Sequence, residues 1–427
     1  MPDCTDDLLP RLAAHRLPNL DLGPQAVHPF YGGLSILNLP SSLARWLGAP
    51  PLPHPALDLP GLDDLMAGAR QIVLVLVDAV AFERFRRWVD GPASGLLPLI
   101  GRGLLAPLTS VVPSTTVSAL TTLWTGRSPA EHAQVGYELF LKEYGLVANM
   151  LTHSPAVLEG QPGLLHRAGL DPETALPVPR LGSHLSQSGV EVHAFLPHPI
   201  RNSGLSRMHL GGSSLHGFAT LTDLWVGVRD LTQRPIEQPR LIWAYYGEVD
   251  ALSHRYGPDS EQAKAEFGAF AQSLMSIFEE RLSPQARRHT ALVLLSDHGQ
   301  ITTRKDPRWE IRNHASLTRL LHLQPTGENR FAYLYLRPGQ DKAVEDYVHQ
   351  AWPGDFQLLR SDTALLAGLF GPGAPAAATP DRLGDRIVVS QGDAYLWWGS
   401  KENALLGRHG GVSPEEMLVP FLAAPLG

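Results

Sequence analysis

Three segments, QIVLVLVDAV (71–80), LIWAYYGEVDALSH (241–254) and ALVLLSDHGQ (291–300), each run an apolar stretch into an aspartate, two of them with a histidine close by. They supply Asp78, Asp250 and Asp297, with His254 and His298. Carboxylates gathered in one place repel one another, and buried unpaired ones are costly. A set of them interleaved with imidazoles is stable when metal cations neutralise it. The single cysteine, Cys4, excludes an internal disulfide framework and any thiolate metal site. Carboxylate and imidazole donors suit zinc, with manganese or iron as alternatives. A further segment, VVPSTTVSALTTLWTGRSPAEH (111–132), is rich in hydroxyls. Pro113 and Ser114 end a strand and the turn then opens a helix, placing Thr115 or Thr116 at a helix amino terminus, where backbone donors and the helix dipole favour an anion. A threonine hydroxyl is a poor nucleophile until a base or a cation helps remove its proton. Without the Asp/His set these threonines would read as a capping turn; beside it, Thr116 reads as a nucleophile.

The fold must bring these residues together. The run 72–77 has no polar alternation, which suits a strand buried on both faces of a parallel sheet. In open α/β sheets ligands bind beyond the carboxyl ends of the strands, so aspartates placed at three strand ends converge. Further strands are predicted over 104–112, 190–196, 241–247 and 290–296, and helices over 118–126 and 261–282. Strands alternating with helices imply right-handed crossovers and a parallel sheet. Residues 1–70, rich in Pro, Leu and His, read as an irregular N-terminal wrap. Residues 71–300 and 406–427 read as the α/β core, and 301–405 as a smaller α+β cap inserted before the last core segment.

Composition narrows the class. The 427 residues, 44% hydrophobic, exceed one ordinary domain and can bury a large core. The net charge is −7, and no basic block interleaved with aromatics marks a nucleic-acid groove. No apolar run approaches the ~20 residues of a membrane helix. The first residues, MPDCTDDLLPRLAAH, carry acids where a signal peptide would carry bases, so a cytoplasmic location is expected.

The order of Asp78, the PSTT turn with TGRSP following, Asp250 to His254, the SDHG of 296–299 and GRHGGVSPEEMLVP (407–420) resembles the alkaline phosphatase superfamily. Within it the pattern is most similar to the type I phosphodiesterase/nucleotide pyrophosphatase family, from about residue 70 onward. The resemblance implies an alkaline-phosphatase-like three-layer α/β sandwich with a mostly parallel central sheet. It also implies two divalent metal ions, one held by Asp250, His254 and His409, the other by Asp78, Thr116, Asp297 and His298. The implied reaction is in-line attack of Thr116 on phosphorus, giving a covalent phospho- or nucleotidyl-threonine that water then hydrolyses.

Two departures from the family bear on the substrate, a small phosphate ester and in some members a nucleotide. The aromatic residue that follows the nucleophile in nucleotide-hydrolysing members is Val117 here. Their asparagine, 21 residues after the nucleophile, is replaced by Tyr137, whose phenol can donate one hydrogen bond. The polar loop HPIRNSGLSR (198–207) can present Arg201 or Asn202 to a substrate, while Trp243 and Tyr246 are expected to pack in the core. Outside the implied ligands, His132, His198 and His314 are the remaining histidines of interest. A phosphomonoester or a phosphonate is the alternative substrate. Sulfatase resemblance fails because PSTTV lacks the C/S-x-P-x-R pattern, and a degenerate binding protein would lack ligands that are all filled here.

Overall fold

The apolar runs become strands with no exposed residue: Gln71–Val77, Leu104–Thr109, Arg240–Tyr246 and Thr290–Leu295 are buried throughout. The computed structural model describes residues 4–157 and 161–427. Its central sheet has seven strands, in the order Leu104–Thr109, Leu418–Pro425, Thr290–Leu295, Gln71–Val77, Arg240–Tyr246, Glu191–Pro197, Ser214–Phe218. The strand Gln71–Val77 pairs in parallel with both neighbours, and Glu191–Pro197 does the same. Only Leu418–Pro425 runs antiparallel to its neighbours, joining the strand at one edge to the rest of the sheet. Strands buried on both faces require cover on both sides, and helices supply it, giving an α/β sandwich.

A second, wholly antiparallel sheet runs Phe356–Arg360, Arg386–Ser390, Phe331–Leu334, Thr326–Glu328, Glu138–Leu141, Leu146–Asn149, Ser154–Pro155. Its first four strands come from the segment expected to be a cap. The other three come from 138–155, because Glu138 pairs with Gly327 across the boundary. The small sheet therefore extends beyond the expected limits of 301–405 and is fixed to the core by the hairpin that follows the PSTT helix. Its outer part has a core of its own, around Trp309, Trp352, Val388 and Tyr395.

The first 70 residues depart from the irregular wrap expected of them. They form the helices Thr5–Ala14, Leu39–Trp46 and Leu62–Met66, whose Leu8, Leu12, Leu39, Leu43 and Leu62 are buried in the main core. The helix expected over 261–282 is α-helical at Glu261–Ser273, then widens to a π turn and tightens to a 3-10 turn at Glu279–Arg281. Among the described residues no helix is long and apolar enough to cross a membrane.

Candidate active site

Three central strands finish level with one another: Val77 lies beside Tyr246, and Leu76 beside Leu295. Asp78 follows its strand directly, and Asp297 comes two residues after Leu295. Asp250 does not end a strand as expected. Gly247 breaks the chain out of the sheet, and Asp250 sits in the first turn of the helix Glu248–Tyr256. That helix places His254 one turn further on the same face, with Nε2 at 3.3 Å from Asp250 Oδ1.

Asp78, Asp297 and His298 form an inner cluster at the helix Thr116–Thr125. His298 Nε2 lies 3.3 Å from Asp78 Oδ1, 3.5 Å from Asp297 Oδ2 and 3.1 Å from Thr116 Oγ1. Its Nδ1 faces the Gly299 carbonyl at 3.0 Å; donation there leaves the Nε2 lone pair turned to the carboxylates. The Tyr245 hydroxyl donates to Asp78 Oδ2 at 2.5 Å, and the Ala79 N–H to Asp297 Oδ1 at 3.3 Å. Ala79 holds φ at 63°, a left-handed conformation that costs a residue with a Cβ about 1–2 kcal/mol, so the turn beside Asp78 stores strain. The remaining oxygens, Asp78 Oδ1 and Asp297 Oδ2, are buried without a hydrogen-bond partner among the described residues. Burial, then repulsion from Asp78, pushes the Asp297 carboxyl far above the ordinary range.

An outer cluster of Asp250, His254 and His409 lies alongside. Asp250 Oδ1 accepts the Gln300 amide at 2.5 Å and stands 4.0 Å from His409 Nε2. His254 Nδ1 faces the Gly407 carbonyl at 2.9 Å, again leaving Nε2 for the carboxylate. Burial and the neighbouring Asp78 raise the Asp250 carboxyl to about 8. The His298 and His409 rings stack at 4.0 Å and join the two clusters. Orphaned carboxylate oxygens beside imidazole nitrogens with inward lone pairs are a donor set that fits divalent cations of the borderline or hard kind.

The PSTT turn is stitched to both flanks of this centre. Thr115 precedes the helix in extended conformation, but its hydroxyl donates to Glu328 Oε1 at 2.6 Å instead of capping the helix. Ser114 donates to the Gly411 carbonyl at 2.7 Å, tying the turn to the loop that carries His409. Only glycine fits at 410: φ is 105° and a Cβ would stand 2.6 Å from Glu328 Cβ. The loop is anchored in turn by Glu416, which takes Arg330 Nε at 2.7 Å and Nη2 at 2.9 Å, both side chains fully buried, and the Gly411 N–H at 2.9 Å.

Two cavities of about 660 Å³ each open on this centre, and Thr116 and Asp250 line both. Asn202 borders the first. Arg201 does not: its stem packs over Gly217 of the neighbouring strand, because the chain turns between Ile200 and Ser203. Tyr137 borders the second cavity; its hydroxyl accepts the Asn149 amide at 2.5 Å. His132 is a buried core residue bonded to Thr122, and His314 bridges Tyr347 and the Arg308 carbonyl in the outer sheet region. His198 lies against Gly217 with Arg201. Tyr246 stacks on Phe270 and Trp243 packs on Trp124, although Trp243 also reaches the first cavity. Sequence reasoning missed Tyr245, Gln300 and Glu328. Gln300 carries a signal, being the polar residue directly after SDHG; Glu328 carries none, since it reaches the site only through the second sheet.

Residues 72–411 match the family model described as type I phosphodiesterase / nucleotide pyrophosphatase. No curated protein matches the chain. Among solved structures, murine ectonucleotide pyrophosphatase/phosphodiesterase 5 is similar at a TM-score of 0.61 and 16% identity, over 83% of this chain and 87% of that one. The same murine protein is similar to the same degree as an inactive threonine-to-alanine variant in complex with AMP. Phosphonoacetate hydrolase from Sinorhizobium meliloti, in complex with phosphonoacetate, is similar at a TM-score of 0.60 and 18% identity, over 82% of this chain and 89% of that one. At these identities the likeness speaks for the fold, an alkaline-phosphatase-like α/β architecture with a mostly parallel central sheet and an added antiparallel sheet.

Proposed function

The chain belongs to the type I phosphodiesterase/nucleotide pyrophosphatase family, and from that premise we propose that it is a metal-dependent phosphodiester or pyrophosphate hydrolase with Thr116 as its nucleophile. Family membership makes it a hydrolase acting on phosphoric ester bonds. The observation that carries the finer reading is the position of Thr116 Oγ1, at a helix amino terminus and 3.1 Å from His298, whose cluster holds two buried carboxylate oxygens without a hydrogen-bond partner among the described residues.

Asp78, Asp297, His298 and Thr116 would hold one divalent cation, and Asp250, His254 and His409 a second. Bound there, the cations would neutralise the carboxylates, favour the Thr116 alkoxide and draw charge from the phosphoryl oxygens. Zinc suits this donor set, with manganese or iron as alternatives. The chain's own residues do the rest. Thr116 Oγ1 attacks phosphorus in line, the bond to the ester oxygen opposite breaks, and a phosphoryl- or nucleotidyl-threonine forms. Water then cleaves that ester and restores the hydroxyl, so each step is easier than direct hydrolysis. Backbone N–H groups at the start of the helix Thr116–Thr125 face the developing negative charge. Gln300, Tyr245 and the Gly299 and Gly407 carbonyls hold the acidic and imidazole groups in place.

A threonine-to-alanine change also makes the inactive form of the murine neighbour that holds AMP, which is in keeping with a threonine nucleophile and a small phosphate-ester substrate. The phosphonoacetate-binding neighbour offers phosphonate cleavage as a second reading. The size of the two cavities beside Thr116 favours a diester over so small a substrate. The test is a panel of chromogenic diesters, monoesters and phosphonates assayed with Zn²⁺ or Mn²⁺ in wild type and Thr116→Ala. Diester turnover that disappears in the variant is expected. Equal activity in the variant would remove the nucleophile, and a monoester preference of several orders of magnitude would remove the substrate class.

A further inference from the structure

The centre stands where two cavities meet, and their walls differ. The first is mostly apolar, with Leu120, Trp124, Leu196, Leu205, Leu210 and Trp243 in its wall beside the polar His166, Asn202, Arg207 and His209. The second is bordered by Trp397 and Trp398. Both of these indoles have their polar edge tied back to the protein: Trp398 Nε1 donates to Glu138 Oε2 at 2.7 Å, and Trp397 Nε1 to the Lys401 carbonyl at 3.2 Å. An indole whose N–H is already satisfied, and which is only partly buried, offers the substrate its ring and not its hydrogen bond. Val117 has no ring, so the aromatic surface of the second cavity comes from Trp397 and Trp398, with Tyr137 also on its border.

A phosphorus atom at Thr116 would carry one substituent into each space. We infer that the preferred substrate is a diester with two unlike organic arms: a planar group against Trp397 and Trp398, and a bulky alkyl or aryl group in the chamber floored by Trp124 and Trp243. This rests on the phosphodiesterase reading above and narrows it. A monoester or a small phosphonate would leave at least one cavity filled only with water, and apolar walls gain nothing from that.

The test is a series of n-alkyl 4-nitrophenyl phosphates, from methyl to octyl, assayed with the metal-loaded enzyme. Each added methylene should lower KM by roughly threefold until the chamber is full. Leu205→Trp, which fills the chamber, should flatten that series. Ile200→Glu should do the same by placing a charge at the chamber mouth, and because Ile200 is 38% exposed the second variant does not depend on repacking the core. Trp398→Leu should raise KM for every member by one common factor and leave the slope intact. A KM independent of alkyl length in wild type, or a slope unchanged in both chamber variants, would overturn the inference while leaving a phosphodiesterase. A slope altered by Trp398→Leu alone would overturn the assignment of the arms. Absence of turnover for every diester, methyl included, would overturn the functional reading and the inference with it.

Discussion

The two ligand clusters use the same donor types but differ in enclosure. The side chains of Asp78, Asp297 and His298 are at most 2% exposed, whereas those of Asp250, His254 and His409 are 10–25% exposed. The inner cluster hangs from two adjacent strands, Gln71–Val77 and Thr290–Leu295, and its His298 meets the Thr116 hydroxyl. The outer one is assembled from a helix and a late loop, and all three of its side chains line the second cavity, whereas of the inner cluster only Asp78 reaches a cavity, the first. Rigid strands therefore fix the cluster beside Thr116, and the more exposed cluster is built from parts reached across long stretches of chain. A cation in the inner cluster should be slow to leave, and one in the outer cluster should exchange readily.

The largest effect should come from the inner side. Thr116→Ala should lower kcat by roughly 10³-fold or more while both cations stay bound, read by steady-state kinetics beside elemental analysis. Asp297→Asn should lose activity to a similar extent but with one cation missing. If instead the outer cation left first in Asp297→Asn, the two clusters would not be separable.

Next comes the support of the outer side. Glu416→Ala leaves the buried Arg330 guanidinium without its carboxylate and should destabilise the fold by about 3–5 kcal/mol in denaturant titration. The same variant loosens the His409 loop, since the Gly411 N–H loses its acceptor. Gln300→Ala is milder. It should weaken binding of the outer cation by roughly 10–100-fold and leave the inner one unchanged, measured by competition with a chromogenic chelator.

The smallest effect is on stability against pH. In the cation-free protein the Asp250 carboxyl stands at about 8, above its ordinary value, so the folded state holds that proton more tightly than the unfolded chain. The resulting stabilisation is complete below the ordinary carboxylate range and is lost as pH rises through about 8. Chelated protein should therefore lose Tm between about pH 4 and 8, while cation-loaded protein is spared, because the cation replaces the proton. Parallel Tm curves for the two forms would contradict that.

Much of the inner cluster was legible in the sequence because its elements are local. An apolar run into Asp78, another into Asp297–His298, and a hydroxyl turn opening a helix each state their position within a few residues. Asp250 was placed less well: its four-residue step to His254 suits a helical turn, but periodicity does not show that the strand stops at Tyr246 and a helix starts directly after Gly247. What stayed hidden is non-local. Tyr245 reads as one more apolar strand residue until Asp78 is seen beside it, and Glu328 meets Thr115 only because a hairpin at 138–149 pairs with Gly327. Arg201 looked available because loop polarity says nothing of direction. The helices at Thr5–Ala14 and Leu39–Trp46 were masked by the prolines that separate them.

A covalent ester at Thr116 is tested most directly by the stereochemical course at phosphorus. A diester chiral at phosphorus through a sulfur substitution, hydrolysed in isotopically labelled water, should give product with retained configuration. Two in-line displacements, one by Thr116 and one by water, each invert the centre and together restore it. Net inversion would mean that water attacks the substrate in a single step and that Thr116 forms no bond to phosphorus.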